Sequence, residues 1–142
     1  MSVHIGFTGT RDGMTPAQQS RAGLLLLELG ATDLHHGDCC GADDHIDQIG
    51  RELGLMIHLH PPIDPTRRAW CNFQDMCMVY APKRYLERNQ DIVNAVSAMI
   101  ATPKEMTETL RSGTWSTIRY CRRQGKPLYV VWPDGTVTTE NV

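Results

Sequence analysis

The stretch that decides the fold is Val3-His4-Ile5-Gly6-Phe7-Thr8-Gly9-Thr10-Arg11-Asp12-Gly13, followed at once by Thr15-Pro16-Ala17-Gln18. Val3, Ile5 and Phe7 alternate in a short run that ends at Thr8-Gly9, the pattern of a strand with one face toward a core. Thr15 then offers a side-chain cap, Pro16 suits the first helical position, and Gln18 stands where a capping box wants it. Ala22 and Leu24 to Leu27 carry the helix, and Gly30 can end it in the left-handed conformation. A strand, a glycine-containing loop and a helix form the opening unit of an α/β domain.

The same unit repeats outward. Asp33 to His36 reads as a second short strand that breaks at Gly37, and Asp43 or Asp44 can cap a second helix carrying Ala42, Ile46, Ile49 and Leu53, closed by Gly54. Met56 to His60 is a third strand, stopped by Pro61-Pro62. From Asp64 to Lys83 there is no clean period, and long excursions of this kind often form functional lids. Helical spacing returns at Leu86, Asn89, Ile92, Val93 and Val96. Ser97 to Ala101 reads as a fourth strand, Thr114 to Arg123 as a fourth helix, and Leu128 to Trp132 as a fifth strand. Asp134-Gly135 is a turn, after which Thr136 to Thr139 is a candidate extra edge strand.

Strands alternating with helices imply the α/β class, with a mainly parallel five-stranded sheet, helices on both faces and right-handed crossovers. The natural strand order is 3-2-1-4-5, which puts the point of reversal between strands one and four. Ligands in such sheets bind beyond the carboxyl ends of the strands at that point. The loops after strands one, two and four are therefore where a site is expected.

The totals fit this reading. At 142 residues the chain forms a single domain over residues 1–142, long enough to bury a core without disulfides or a structural metal. A hydrophobic fraction of 41% and a charged fraction of 21% belong to an ordinary globular protein. The formal net charge of -2 gives no general attraction to a polyanion, so nucleic acid is not the expected partner. No segment approaches the roughly 20 apolar residues that span a bilayer, and the N-terminal residues run into a strand without a signal-peptide pattern. Five cysteines, an odd number without zinc-ribbon or thioredoxin spacing, read as free thiols in a reducing, cytoplasmic setting.

Each of the three loops carries groups suited to an anion. After strand one, Gly9, Thr10 and Arg11 combine a tight turn, a hydroxyl and a planar guanidinium fork. After strand two, Gly37 and Gly41 straddle Asp38 and precede Ala42 and Asp43 at a helix entry. Free amides and the positive helix end can face a ligand there, while Asp38 and Asp43 either accept from ribose hydroxyls or serve the helix cap. After strand four, Ser112, Gly113 and Thr114 open the fourth helix as a cradle of amides and hydroxyls, or as a simple cap. The chain lacks both G-x-x-x-x-G-K-[ST] and a G-x-G-x-x-G after the first strand, which argues against a P-loop ATPase or a standard dinucleotide dehydrogenase.

Taken together, Gly9-Thr10-Arg11, His36-Gly37 with Gly41-Ala42-Asp43, Tyr85-Leu86-Glu87-Arg88-Asn89, and Ser112-Gly113-Thr114 with Thr117 resemble the SLOG superfamily. That superfamily groups the DNA-processing protein A fold with the "Lonely Guy" nucleotide hydrolases, and more narrowly the chain is similar to its small stand-alone branch of unknown function. The resemblance implies a Rossmann-like three-layer sandwich, homodimers, and a pocket for nucleotides or nucleotide sugars such as ADP-ribose. It also brings Arg88 toward phosphate and Asn89 toward ribose or base. The hydrolases carry P-G-G-x-G-T-x-x-E; here the stretch is Leu110-Arg111-Ser112-Gly113-Thr114-Trp115-Ser116-Thr117, with Thr117 in place of the glutamate. A threonine supplies neither a carboxylate base nor charge to an oxocarbenium ion. The expectation is binding without turnover by a sensor or sequestering protein. A nucleoside-monophosphate N-glycosidase using Glu87, Asp38 or Glu108 is the alternative, and a single-stranded nucleic-acid module the second.

No metal and no resident cofactor are expected. His35 and His36 are adjacent on a strand and point to opposite faces, so they cannot chelate one zinc together with Asp38, Cys39, Cys40 and His45. His58 and His60 share a strand face, where hydrogen bonds can hold them. Cys71 and Cys77 sit beside Trp70, Phe73, Met76 and Met78, an apolar cluster suited to a packed lid or a dimer contact. Trp115 either packs in the core or stacks on a base. Arg119, Arg122 and Arg123 near the end of the fourth helix favour its dipole and stay solvated.

Overall fold

The computed structural model describes residues 1–71 and 76–142. The helix-start signals of the opening stretch act as read. Thr15 Oγ accepts from the Gln18 amide at 3.1 Å while Gln18 Oε1 accepts from the Thr15 amide at 3.0 Å, and helix α1 runs Pro16–Glu28 with Gly30 left-handed behind it. Strand β1 is His4–Gly9 and β2 is Asp33–His36, followed by α2 (Ala42–Glu52), β3 (Met56–Leu59) and a short 3₁₀ turn over Pro65–Arg67. Strand β4 (Cys77–Val79), α3 (Tyr85–Ala95), β5 (Ala98–Thr102), α4 (Gly113–Arg123), β6 (Leu128–Val131) and β7 (Val137–Glu140) complete the chain.

Among the described residues the sheet has seven strands in the order β4-β3-β2-β1-β5-β6-β7, parallel except for the β6–β7 pair. The five expected strands keep their expected mutual order, and the edge strand near residue 136 is β7. Strand β4 corrects the count: it lies in the excursion read as aperiodic and adds to β3 in parallel. Three residues at an exposed edge, Cys77-Met78-Val79, are too few to display an alternation.

Alternation places Ile5, Phe7, Leu34, Ile57 and Leu59 on one face, where they pack with Leu25 and Leu26 of α1 and Ile46 of α2. The opposite face over β5 and β6 holds Met99, Ala101, Leu128 and Val130 against Ile92 and Val93 of α3 and Trp115 and Ile118 of α4. This is a three-layer α/β sandwich. Trp115 is 1% exposed and lies 5.8 Å from Trp132, ring to ring, so it is a core residue. Neither Asp43 nor Asp44 caps α2: Gly41 does, at a φ of 92°, because a side chain there would strike the Arg11 carbonyl oxygen at 2.2 Å.

The apolar cluster of the excursion is only partly packed within the chain. Cys71 is buried, yet Trp70, Met76 and Met78 stay 44%, 52% and 49% exposed, and Phe73 lies outside the described residues. All five cysteines are free thiols, and no helix among the described residues is long and apolar enough to cross a membrane.

Candidate functional site

At the carboxyl ends of β1, β2 and β5, where the winding of the sheet reverses, a cleft of about 730 Å³ opens. That size is within the roughly 300–1,000 Å³ of small-molecule sites. Gly9, Gly37 and Gly113 all line it, which answers the central expectation from the sequence: three turns distant along the chain share one rim. Thr10, Arg11, Asp43, Arg88, Asn89, Ser112 and Thr114 line it as well.

The β1 and β2 loops are locked to each other. The Ala42 amide donates to the Thr10 carbonyl at 3.0 Å. Asp43 Oδ2 accepts from the Gly37 amide at 3.1 Å and from the Cys39 amide at 3.2 Å, so this carboxylate staples its own loop. Burial pushes the Asp43 carboxyl toward the protonated form, against the pull of His36, Arg88 and the two amides.

Arg88, 6% exposed, forms the floor. Its Nη1 donates to the Gly37 carbonyl at 2.5 Å and the His60 carbonyl at 3.0 Å, Nε donates to Asn89 Oδ1 at 2.7 Å, and Nη2 reaches Cys39 Sγ at 3.6 Å. Four of its N–H groups are thus committed to the protein, and one Nη2 hydrogen remains. Gly37 makes this possible. A Cβ there would stand 2.4 Å from Nη1.

At the far wall, α4 points its N-terminus at the cleft. Ser112 Oγ accepts from the Trp115 amide at 3.3 Å, while a Cβ on Gly113 would meet nothing within 4 Å, so its backbone borders open space. The first amides of a helix in such a setting favour an anion.

Four expected residues do not line the cleft. Asp38 is fully buried: its Oδ2 accepts from Arg68 Nε at 2.7 Å and its Oδ1 from the Cys71 amide at 2.9 Å, so it anchors the excursion. Gly41 and Ala42 are occupied with the contact to the first loop. Thr117 Oγ1 donates to the Gly113 carbonyl at 3.0 Å inside its own helix, which turns it away from any ligand.

Sequence reading missed Arg67, Tyr85, Lys104 and Arg111, which also line the cleft. Arg67 is delivered by the 3₁₀ turn, held by a bond from the Cys40 amide to the Arg67 carbonyl at 2.8 Å. Asp64 capping Thr66 beside Pro65 was the local signal for that turn, and it carries no periodicity. The Tyr85 ring lies 5.5 Å from the Arg11 guanidinium and 5.3 Å from that of Arg88. Lys104 pairs with Asp12 at 2.7 Å and holds that exposed carboxyl below the ordinary range. Five cationic side chains therefore face three acidic ones, Asp12, Asp43 and Glu105, in a chain whose net charge is negative.

This architecture has solved counterparts. The chain is similar to the molybdenum cofactor binding protein from the phototrophic bacterium Rippkaea orientalis, with a TM-score of 0.68 and 19% identity over 93% of this chain and 77% of that one. It is similar to the molybdenum cofactor carrier protein MCP from Chlamydomonas reinhardtii, with a TM-score of 0.63 and 16% identity over 92% and 76% of the two chains. A structural-genomics target, TM1055, matches with a TM-score of 0.62 and 15% identity over 89% and 72%. At these identities the likeness is one of fold. No protein-family model and no curated protein matches the chain.

Outside the cleft, the sheet carries a polar array. His35 Nδ1 and His60 Nε2 are 2.9 Å apart, His4 Nδ1 and His35 Nε2 2.8 Å, and His58 bridges Asp33 and the Tyr80 hydroxyl at 2.7 Å each. Burial, with His58 and His60 nearby, pulls His35 down to about 3; burial takes His60 down to about 4.

Proposed function

We propose that the chain binds a phosphate-bearing nucleotide or nucleotide-sugar ligand, of the ADP-ribose type, as a sensor or sequestering protein without turnover. The observation that carries this reading is the meeting of Gly9, Gly37 and Gly113 at one cationic cleft. Arg11 and Arg111, both exposed, and the first amides of α4 are the groups for phosphate. Thr10, Asn89 and Thr114 are the groups for ribose or base, and Arg88 acts chiefly by holding the floor together. The ordered motifs support SLOG membership. Two neighbours of the same fold are described as binding or carrying the molybdenum cofactor, so carriage of a small anionic molecule is a role this architecture supports, and that cofactor belongs in the ligand screen.

Binding without turnover is supported by how the candidate catalytic groups are engaged. Asp38 is spent on Arg68, Glu108 on Arg119 and Arg122, exposed Glu87 does not line the cleft, and Thr117 bonds within its helix. Hydrolysis of the N-glycosidic bond keeps one observation in its favour. Asp43 borders the cleft with its proton affinity raised by burial, and both of its amide bonds fall on Oδ2, leaving Oδ1 available.

The test is mass spectrometry of small molecules released when the purified protein is denatured, followed by calorimetric titration with ADP-ribose, AMP and inorganic phosphate. Binding with micromolar affinity or better, about 8 kcal/mol, is expected. Arg11→Ala and Arg111→Ala should each weaken it about tenfold, near 1.4 kcal/mol. Failure of every ligand to bind, or binding indifferent to both substitutions, would overturn the reading. Free base released from AMP, and lost in Asp43→Asn, would replace it with the hydrolase.

A further inference from the structure

Three adjacent strands each present an imidazole on the sheet face away from α1 and α2. Parallel register sets His4 against Asp33, Gly6 against His35, and His35 against His58, so His35 and His58 are level across β2 and β3 while His4 stands one pleat earlier on β1, diagonal to His35. Asp33, two residues before His35, belongs to the same face. One nitrogen from each of the three imidazoles lies within 4.8 Å of the other two. Asp33 Oδ2 stands beside two of the three imidazoles, 2.7 Å from His58 Nε2 and 3.8 Å from His4 Nε2.

We infer that His4, His35 and His58, with Asp33 as fourth ligand, form a binding site for one divalent cation of the zinc class. Three imidazole nitrogens and one carboxylate oxygen are a donor set that suits zinc, cobalt or nickel and not magnesium or calcium, which require mostly oxygen. Ligand atoms about 2.0–2.1 Å from a tetrahedral ion are about 3.3–3.4 Å apart. The His35 and His58 rings are stacked, 4.0 Å apart and 5° from parallel, so uptake of the ion requires both imidazoles to turn about χ2 until their nitrogens converge.

The outer partners that orient metal-bound histidines are already in place: His60 Nε2 on His35 Nδ1, and the Tyr80 hydroxyl on His58 Nδ1. Thr32 Oγ1 donates to Asp33 Oδ1 at 2.7 Å, leaving Oδ2 for the ion. His35 and His58 are buried, whereas the His4 side chain is 33% exposed and gives the ion its entry. None of the four residues lines the anion cleft, so the inference stands apart from the proposed function. The ion would fasten the first three strands to one another.

The second cluster with ligand chemistry, His36, Asp47 and Cys71, is already neutralised. Arg51 Nε sits 2.8 Å from Asp47 Oδ2, His36 Nε2 is 2.9 Å from Asp47 Oδ1, and burial keeps the Cys71 thiol protonated. A guanidinium stands where a metal would need the carboxylate.

The test is titration of the tag-free, chelator-stripped chain with Co²⁺, followed by visible absorption and calorimetry, with circular dichroism as the folding check. One Co²⁺ per chain is expected, with the intense d–d bands of a four-coordinate site, displaced by Zn²⁺ and lacking thiolate-to-cobalt charge transfer. His4→Ala, at the most exposed ligand, should weaken binding at least tenfold, and Asp33→Asn should do the same. Cys71→Ser should leave the titration unchanged. No stoichiometric uptake, uptake indifferent to both ligand substitutions, or a thiolate charge-transfer band would each overturn the site.

Discussion

The contact between Gly37 and Arg88 gives the sharpest test of how the cleft is built. Arg88 spends its Nη1 hydrogens on the carbonyls of Gly37 and His60, and the Cβ of an alanine at position 37 would stand 2.4 Å from that nitrogen and 2.6 Å from Cζ. The guanidinium, the end of a flexible side chain, must move out. Two charge-assisted bonds of about 1.5–3 kcal/mol each are then lost, so Gly37→Ala should destabilise the fold by about 3–6 kcal/mol. Arg88→Met removes the same two bonds, and with them those to Asn89 and Cys39, and should cost at least as much. Because both changes delete one interaction, the double variant should cost little more than Arg88→Met alone. That is a coupling of about 3 kcal/mol, against about 0.5 kcal/mol for independent sites. Urea denaturation followed by tryptophan fluorescence measures all four corners of the cycle. Additive costs, or a Gly37→Ala loss below about 1 kcal/mol, would show that the floor of the cleft is not held in this way.

Three more predictions follow from single observations. In chelator-treated protein, His35 and His60 titrate at about 3 and about 4 when folded, against about 6.5 when unfolded. The unfolded chain then binds more protons below pH 6.5, so stability present above that pH is lost as pH falls toward 4, by at most about 2.7 kcal/mol per pH unit for the pair. A urea midpoint that does not drop between pH 7 and pH 5 would contradict this. Asp38→Asn breaks a buried pair with Arg68 and should cost about 3 kcal/mol in the same denaturation assay, with a loss under about 1 kcal/mol refuting the anchoring role. Iodoacetamide at pH 8 should label exposed Cys40 first. Burial pushes the thiols of Cys39 and Cys71 upward and that of Cys121 to about 11, so these three should react only on unfolding, as peptide mass spectrometry would report.

By itself, the sequence determined the layers, the relative order of five strands and the rim on which a ligand site lies. Those features rest on local signals: period-2 alternation in Val3, Ile5 and Phe7, the capping box at Thr15 and Gln18, and a glycine in each loop after β1, β2 and before α4. Handedness of crossovers did the rest, since it leaves few ways to stack strand–helix units. Tertiary structure alone decided how individual side chains are spent. Asp38 and Thr117 look available in the sequence but are consumed by Arg68, by the Cys71 amide and by the Gly113 carbonyl, partners whose positions depend on packing. Arg67 and Lys104 reach the cleft through irregular loops, and β4 is too short to carry a period. The histidine group on β1, β2 and β3 was hidden for a related reason. Its members lie 31 and 23 positions apart along the chain, and only the register between strands, set by the buried faces of all of them together, brings the imidazoles next to one another on one face.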